Sequence, residues 1–71
     1  MQTDEKMTLR TARDKCGFNQ EEAAKLIGIS PDTLSNYERG KSFPDVPILK
    51  KIEKVYEVSY NQLIFLIKNN G

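Results

Sequence analysis

The run Gly28-Ile29-Ser30-Pro31 constrains this chain more than any other part of it. A glycine suits the end of a helix, where the residue after the last turn takes positive φ. The serine hydroxyl can cap a second helix, and proline is tolerated at a first helical position, where no amide donor is needed. Two helices therefore meet within a few residues, and the flanking sequence supports both. Before the turn, Ala23, Ala24 and Ile27 recur at helical spacing while Glu21, Glu22 and Lys25 face elsewhere, which predicts a helix over Gln20 to Ile27. After it, a helix runs from Pro31 through Arg39 and stops at Gly40. Ile29 is apolar and plugs the corner between them.

The rest of the chain has to complete a core around this pair, and it is short. Seventy-one residues make one domain near the lower limit for a self-supporting core, with little room for an enclosed substrate pocket as well. No apolar run is long enough to span a membrane, and the N-terminus has no secretory pattern. The single Cys16 cannot form an internal disulfide, which fits a reducing cytoplasm. Histidine is absent, which excludes histidine-based catalysis and His-containing zinc sites. No Ser or Cys has a visible base and no glycine loop cradles a phosphate, so an enzyme reading has almost no support. Nothing suggests a metal site or a cofactor.

In chain order, residues 1–7 read as a flexible polar arm, 8–68 as the domain and 69–71 as a tail. Thr8 caps a first helix over about Leu9 to Lys15, ended by Gly17, with Leu9, Ala12 and Cys16 as inward positions. Cys16 is expected to sit partly buried at the helix end. Asn19 caps the second helix, and Glu22 completes something close to a capping box. Phe43-Pro44-Asp45 is a loop, and Pro47 lies in the first turn of a fourth helix. Ile48, Leu49, Ile52, Val55 and Tyr56 form its apolar stripe, opposed by Lys50, Lys51, Glu53 and Lys54. Glu57-Val58 turns the chain, and Ser59 caps a fifth helix predicted over Tyr60 to Lys68.

The pattern Gln-x-x-x-Ala-x-x-x-Gly-Ile-Ser-x-x-Thr-Leu-Ser-x-Tyr-Glu-Arg-Gly-Lys, from Gln20 to Lys41, resembles the Cro/C1-repressor-like (XRE-type) helix-turn-helix family. The match reaches out to Leu9, Arg13 and Gly17 before it. After it come Pro44, Leu49, Ile52, Val58, Ser59 and Leu63. The resemblance implies an all-α, compact five-helix, lambda-repressor-like DNA-binding domain with its helix-turn-helix at helices 2 and 3. It also implies that Arg13 pairs with Glu38 as a structural ion pair, and that Gln20 touches a DNA phosphate. Ala12 departs from the family, which usually has a larger aliphatic there; either Phe18 or Tyr37 fills the space or this corner packs loosely. Pro31 stands where the family often has a base-reading polar residue, so fewer bases are read directly.

The third helix becomes the expected recognition helix. At about 100° per residue, Leu34, Tyr37 and Glu38 cluster on one side, leaving Asp32, Thr33, Asn36 and, further round, Ser35 and Arg39 on the other. Asn36 can read adenine with two hydrogen bonds, and Thr33 can meet a thymine methyl or a base acceptor. Asp32 can accept from a cytosine amino group or simply favour the helix's first turn; both readings stay open. Ser30 serves as cap and phosphate donor. Arg39, Lys41 and Ser42 are expected against the backbone, although the two cations also complement the helix's negative end.

Net charge is only +1, low for a nucleic-acid binder, but placement matters more than the total. Asp4, Glu5, Asp14, Glu21 and Glu22 lie in the first third, while Arg39, Lys41, Lys50, Lys51 and Lys54 come later. The consecutive Leu63 to Ile67 run exceeds what one core can bury, which predicts a homodimer interface from Phe43, Ile64, Phe65 and Ile67. The expected partner is double-stranded DNA carrying a palindromic operator. A second reading is a protein-interaction module, an antitoxin or co-regulator, using the fifth helix. No sensing domain follows, so the chain either acts alone or is one domain of a longer protein.

Overall fold

The structure, a computed structural model, describes residues 6–65. Strand β1 (Met7–Thr8) leads into helices α1 (Leu9–Lys15), α2 (Gln20–Ile27), α3 (Pro31–Glu38) and α4 (Val46–Tyr56). A single 3-10 turn at Tyr60–Gln62 then precedes strand β2 (Leu63–Ile64). Each helix begins where a side chain can satisfy its orphan amides. Thr8 accepts from the Thr11 amide, and Asp45 from the Ile48 amide. Asn19 accepts from the Glu22 amide at 2.8 Å while Glu22 Oε1 accepts from the Asn19 amide at 3.0 Å, a full capping box. Gly28 closes α2 at φ 93°, a left-handed conformation that penalises any residue with a Cβ.

The helices converge on Leu9, Ala12, Ala23, Ala24, Ile27, Leu34, Ile52 and Tyr56, all buried. Ile27, Leu34 and Ile52, from α2, α3 and α4, are the largest fully buried side chains, so the α2–α3 corner is clamped from behind by α4. Ile29 packs against this cluster from the turn. Phe18 and Tyr37 both pack against the core, and a cleft of about 290 Å³ lies at Ala12, lined also by Met7, Cys16, Tyr56 and Val58 among others.

Three expectations need correction. The described part of the predicted fifth helix is a 3-10 turn followed by strand, so the described residues hold four α-helices; residues 66–68 lie outside the described ones. Leu63 and Ile64 pair in parallel with Met7 and Thr8, in the register Met7↔Leu63 and Thr8↔Ile64. A consecutive apolar run has no period of its own, so what it pairs with decides between helix and strand. Here Leu63 turns in beside Met7 and Ile64 turns out, as alternation in a strand requires. Met7, assigned to the arm from sequence, is consequently part of β1 and of the core. Cys16 is exposed rather than partly buried, because α1 ends at Lys15 and leaves it as the C-cap; its thiol donates to the Tyr56 carbonyl at 3.4 Å.

Candidate nucleic-acid interface

The geometry of α3 starts at its cap. Ser30 Oγ accepts from the Thr33 amide at 3.1 Å and donates to Thr33 Oγ1 at 2.9 Å, so the cap also orients the threonine. Pro31 follows as the first helical residue. Beyond it the helix divides by side. Leu34 is fully buried, and Glu38 turns inward to Arg13. Asp32 is exposed, and Thr33, Ser35 and Asn36 are partly so; the protein does not cover this side. Arg39 Nη2 donates to Asn36 Oδ1 at 3.2 Å. That bond leaves the Asn36 amino group as the donor to offer outward. Lys41 and Ser42, both exposed, continue from the end of α3, with the Lys41 amide donating to the Asn36 carbonyl at 2.9 Å.

Behind this side lies a polar junction that joins three helices. Arg13 Nε donates to Glu38 Oε2 at 2.7 Å and Nη2 to Oε1 at 3.2 Å. Its Nη1 donates to the Phe18 carbonyl at 3.0 Å. The two side chains are 10% and 5% exposed, so every donor and acceptor here must be matched within the protein. The bond to Glu38 raises the Arg13 pKa above its ordinary value, against the opposing effect of burial. The structure thus brings Arg13 and Glu38 together as a bidentate pair tying α1 to α3.

Gln20 joins the same junction. Its Nε2 donates to Glu38 Oε1 at 3.0 Å, so this residue, expected on a phosphate, has one amide hydrogen engaged inside the protein. Sequence reasoning missed that bond because nothing local links position 20 to position 38. Nor does it anticipate the open basin next to the junction, which brings Arg10 of α1 beside Ser35 and Arg39 of α3. The one available signal was Arg10 preceding Arg13 by three residues, hence by roughly one turn, on the same helix.

The expected interface between copies forms a separate surface. Phe43 and Phe65 stack edge to face at 5.7 Å, and Tyr60 lies 6.1 Å from Phe65. Phe43 is 52% exposed and Ile64 42% exposed. An apolar groove of about 330 Å³ runs between Phe43, Pro44, Leu49, Tyr60 and Phe65. Ile67 lies outside the described residues. Among those residues no helix is long and apolar enough to cross a membrane, and no group of His, Cys, Asp and Glu could hold a metal ion.

A helix-turn-helix family profile matches residues 9–63. The chain is 43% identical over 56 residues to the HTH-type transcriptional regulator ImmR of Bacillus subtilis, covering 79% of this chain and 44% of that protein. It is 38% identical over 56 residues to the cryptic phage CTXphi transcriptional repressor RstR of Vibrio cholerae, covering 79% of this chain and 48% of the repressor. An uncharacterized HTH-type transcriptional regulator of Archaeoglobus fulgidus is 34% identical over 55 residues, with 78% of this chain and 79% of that one aligned. The chain spans under half the length of the first two relatives. No solved structure shows a significant match.

Proposed function

The chain belongs to the Cro/C1-type helix-turn-helix family, and from that premise we propose that it is a sequence-specific, double-stranded DNA-binding transcriptional regulator that represses by occluding a promoter or operator. The observation that carries the reading is the open side of α3. Asp32, Thr33 and Asn36 share it, and Ser30, Arg39, Lys41 and Ser42 frame its two ends. The outward side chains are mostly short, so a helix bearing them can come close to base edges in the major groove. Thr33 and Asn36 read bases, with Asp32 beside them, and the framing residues set the register on the backbone. Two relatives are named as a transcriptional regulator and a repressor, which supports the same reading.

Two copies of the chain read a palindromic operator in this proposal. The apolar surface of Phe43, Ile64 and Phe65 is the dimer contact, spacing two recognition helices about one turn of DNA apart. The mechanism requires no chemistry and no cofactor, and it operates in the cytoplasm. Selection from a random duplex pool, followed by a salt titration of the selected and a scrambled duplex, tests the reading. A recovered two-fold site bound at least 10³-fold tighter than the scrambled duplex is expected from the usual gap between specific and nonspecific affinity. Equal affinity for both would refute sequence-specific recognition.

A further inference from the structure

On the outward side of α3 the hydrogen bonds have a direction as well as a place. Arg39 Nη2 donates to Asn36 Oδ1 at 3.2 Å. A guanidinium carries N–H donors and no acceptor, so only the amide oxygen can face it. Turning the Asn36 amide over would set its amino group against Arg39, donor against donor, and lose the bond. The amino group is therefore what Asn36 has left to present. The same polarity recurs one turn earlier, where Ser30 Oγ donates to Thr33 Oγ1 at 2.9 Å and leaves the threonine with its own proton to give. The adenine contact expected for Asn36 needs the opposite. It takes both ends of the amide, the amino group giving to N7 and the oxygen accepting from the N6 amino group.

We infer that Arg39 is a positioning residue that occupies the acceptor of Asn36, so that Asn36 selects a G·C pair, through guanine, over A·T. The inference deepens the DNA-binding reading and rests on it. Guanine turns two acceptors, N7 and O6, side by side into the major groove, and a donor-only side chain meets them with no acceptor of its own. Adenine sets an amino group beside its N7. With Oδ1 already taken, that amino group loses water and gains no partner, which disfavours adenine. Thymine offers O4 alone, next to a methyl group. Contact with DNA also dries the Arg39–Asn36 bond, and a hydrogen bond from a charged donor gains strength in drier surroundings. Arg39 keeps its remaining N–H groups for the backbone, so framing the duplex and orienting Asn36 are compatible.

The test uses Asn36→Ala, Arg39→Met, Arg39→Lys and the Asn36→Ala/Arg39→Met double variant, with thermal melts as a control on folding. Fluorescence anisotropy measures binding to a duplex selected from a random pool and to its single-pair replacements. The pair whose discrimination Asn36→Ala erases is the one that Asn36 reads. There the wild type is expected to prefer G·C over A·T by roughly 5- to 150-fold, the range of one good base contact. Arg39→Met frees Oδ1, and the ratio moves at least about 5-fold toward A·T. A lost phosphate contact would weaken both duplexes alike and leave their ratio in place, so the ratio isolates the orientation of Asn36. Arg39→Lys keeps a donor-only cation and with it the G·C preference. With Asn36 already Ala, Arg39→Met moves the ratio no further, because the effect passes through the amide. An A·T preference in the wild type, or a ratio unchanged by Arg39→Met, overturns this inference and leaves the DNA-binding reading standing. An Asn36→Ala variant that keeps its discrimination at every pair does the same. A wild type that binds no duplex removes both.

Discussion

The two sides of α3 are held by different means. Inward, Leu34 is fully buried and Glu38 shares its carboxylate among Arg13 Nε, Arg13 Nη2 and Gln20 Nε2. Outward, the bonds of Ser30, Thr33, Asn36 and Arg39 stay within α3 and its caps. An inward group is shared between helices, so losing it strands partners that have no access to water. An outward group can be lost and water takes its place. The same eight-residue helix therefore separates the side that holds the fold from the side proposed to meet DNA.

That separation can be broken most directly at Glu38. Removing one partner of a buried pair leaves an uncompensated charge, so Glu38→Ala is expected to cost about 3–5 kcal/mol in urea denaturation. A loss below about 1 kcal/mol, the range of exposed pairs, would mean that Arg13 swings into solvent and that the inward side is not special. Asn36→Ala should do the reverse. Folding stability stays within about 0.5 kcal/mol of the wild type, as for ordinary surface changes. Discrimination at one base pair falls by about 1–3 kcal/mol, compared on duplexes differing only there. Equal losses on the selected and on random DNA would remove its base-reading role.

Ser30 sits on the boundary and should register on both scales. Ser30→Ala loses the cap bond to the Thr33 amide, at about 1 kcal/mol of stability. It should also weaken binding to every duplex alike; a stability loss with unchanged affinity would assign Ser30 to the fold alone. The smallest effect concerns pH and the inward side. Burial pushes the Tyr56 hydroxyl well above the ordinary phenol value, with the Glu38 carboxylate adding to the rise and Arg13 opposing it. A raised folded pKa means that the unfolded phenol ionises first, near pH 10. Stability is then fully present below about pH 10 and falls as pH rises toward the folded value. Tyr56→Phe should flatten that alkaline decline in melts between about pH 8 and pH 11, leaving a residue from Tyr37, whose pKa burial also raises. An identical decline in the variant would place the alkaline-sensitive group elsewhere.

Much of the fold and of the candidate site is legible in the residues themselves. Thr8, Asn19 and Ser30 cap helices at the positions expected, and α1 and α2 begin and end where periodicity and glycines put them. These signals are local: a cap or a left-handed glycine acts within about four residues, whatever the rest of the chain does. The outward side of α3 follows from helical geometry in the same way. The Gln20–Glu38 bond and the Arg10–Ser35 basin do not, because each joins residues that only packing brings together.

The chain's two ends show where that boundary falls. From its residues alone this protein is committed to its first four helices, three of them with legible caps, and to a third helix with one polar side at a glycine turn. Whether Leu63-Ile64 continued as helix or opened into strand was undetermined locally, since a solid apolar run suits either. The tertiary structure decided it by setting Met7-Thr8 alongside, where backbone groups of both segments pair and Met7 and Leu63 leave water together. A pairing across more than fifty residues of chain depends on where α1 and α4 have carried the two ends, and no local pattern encodes that.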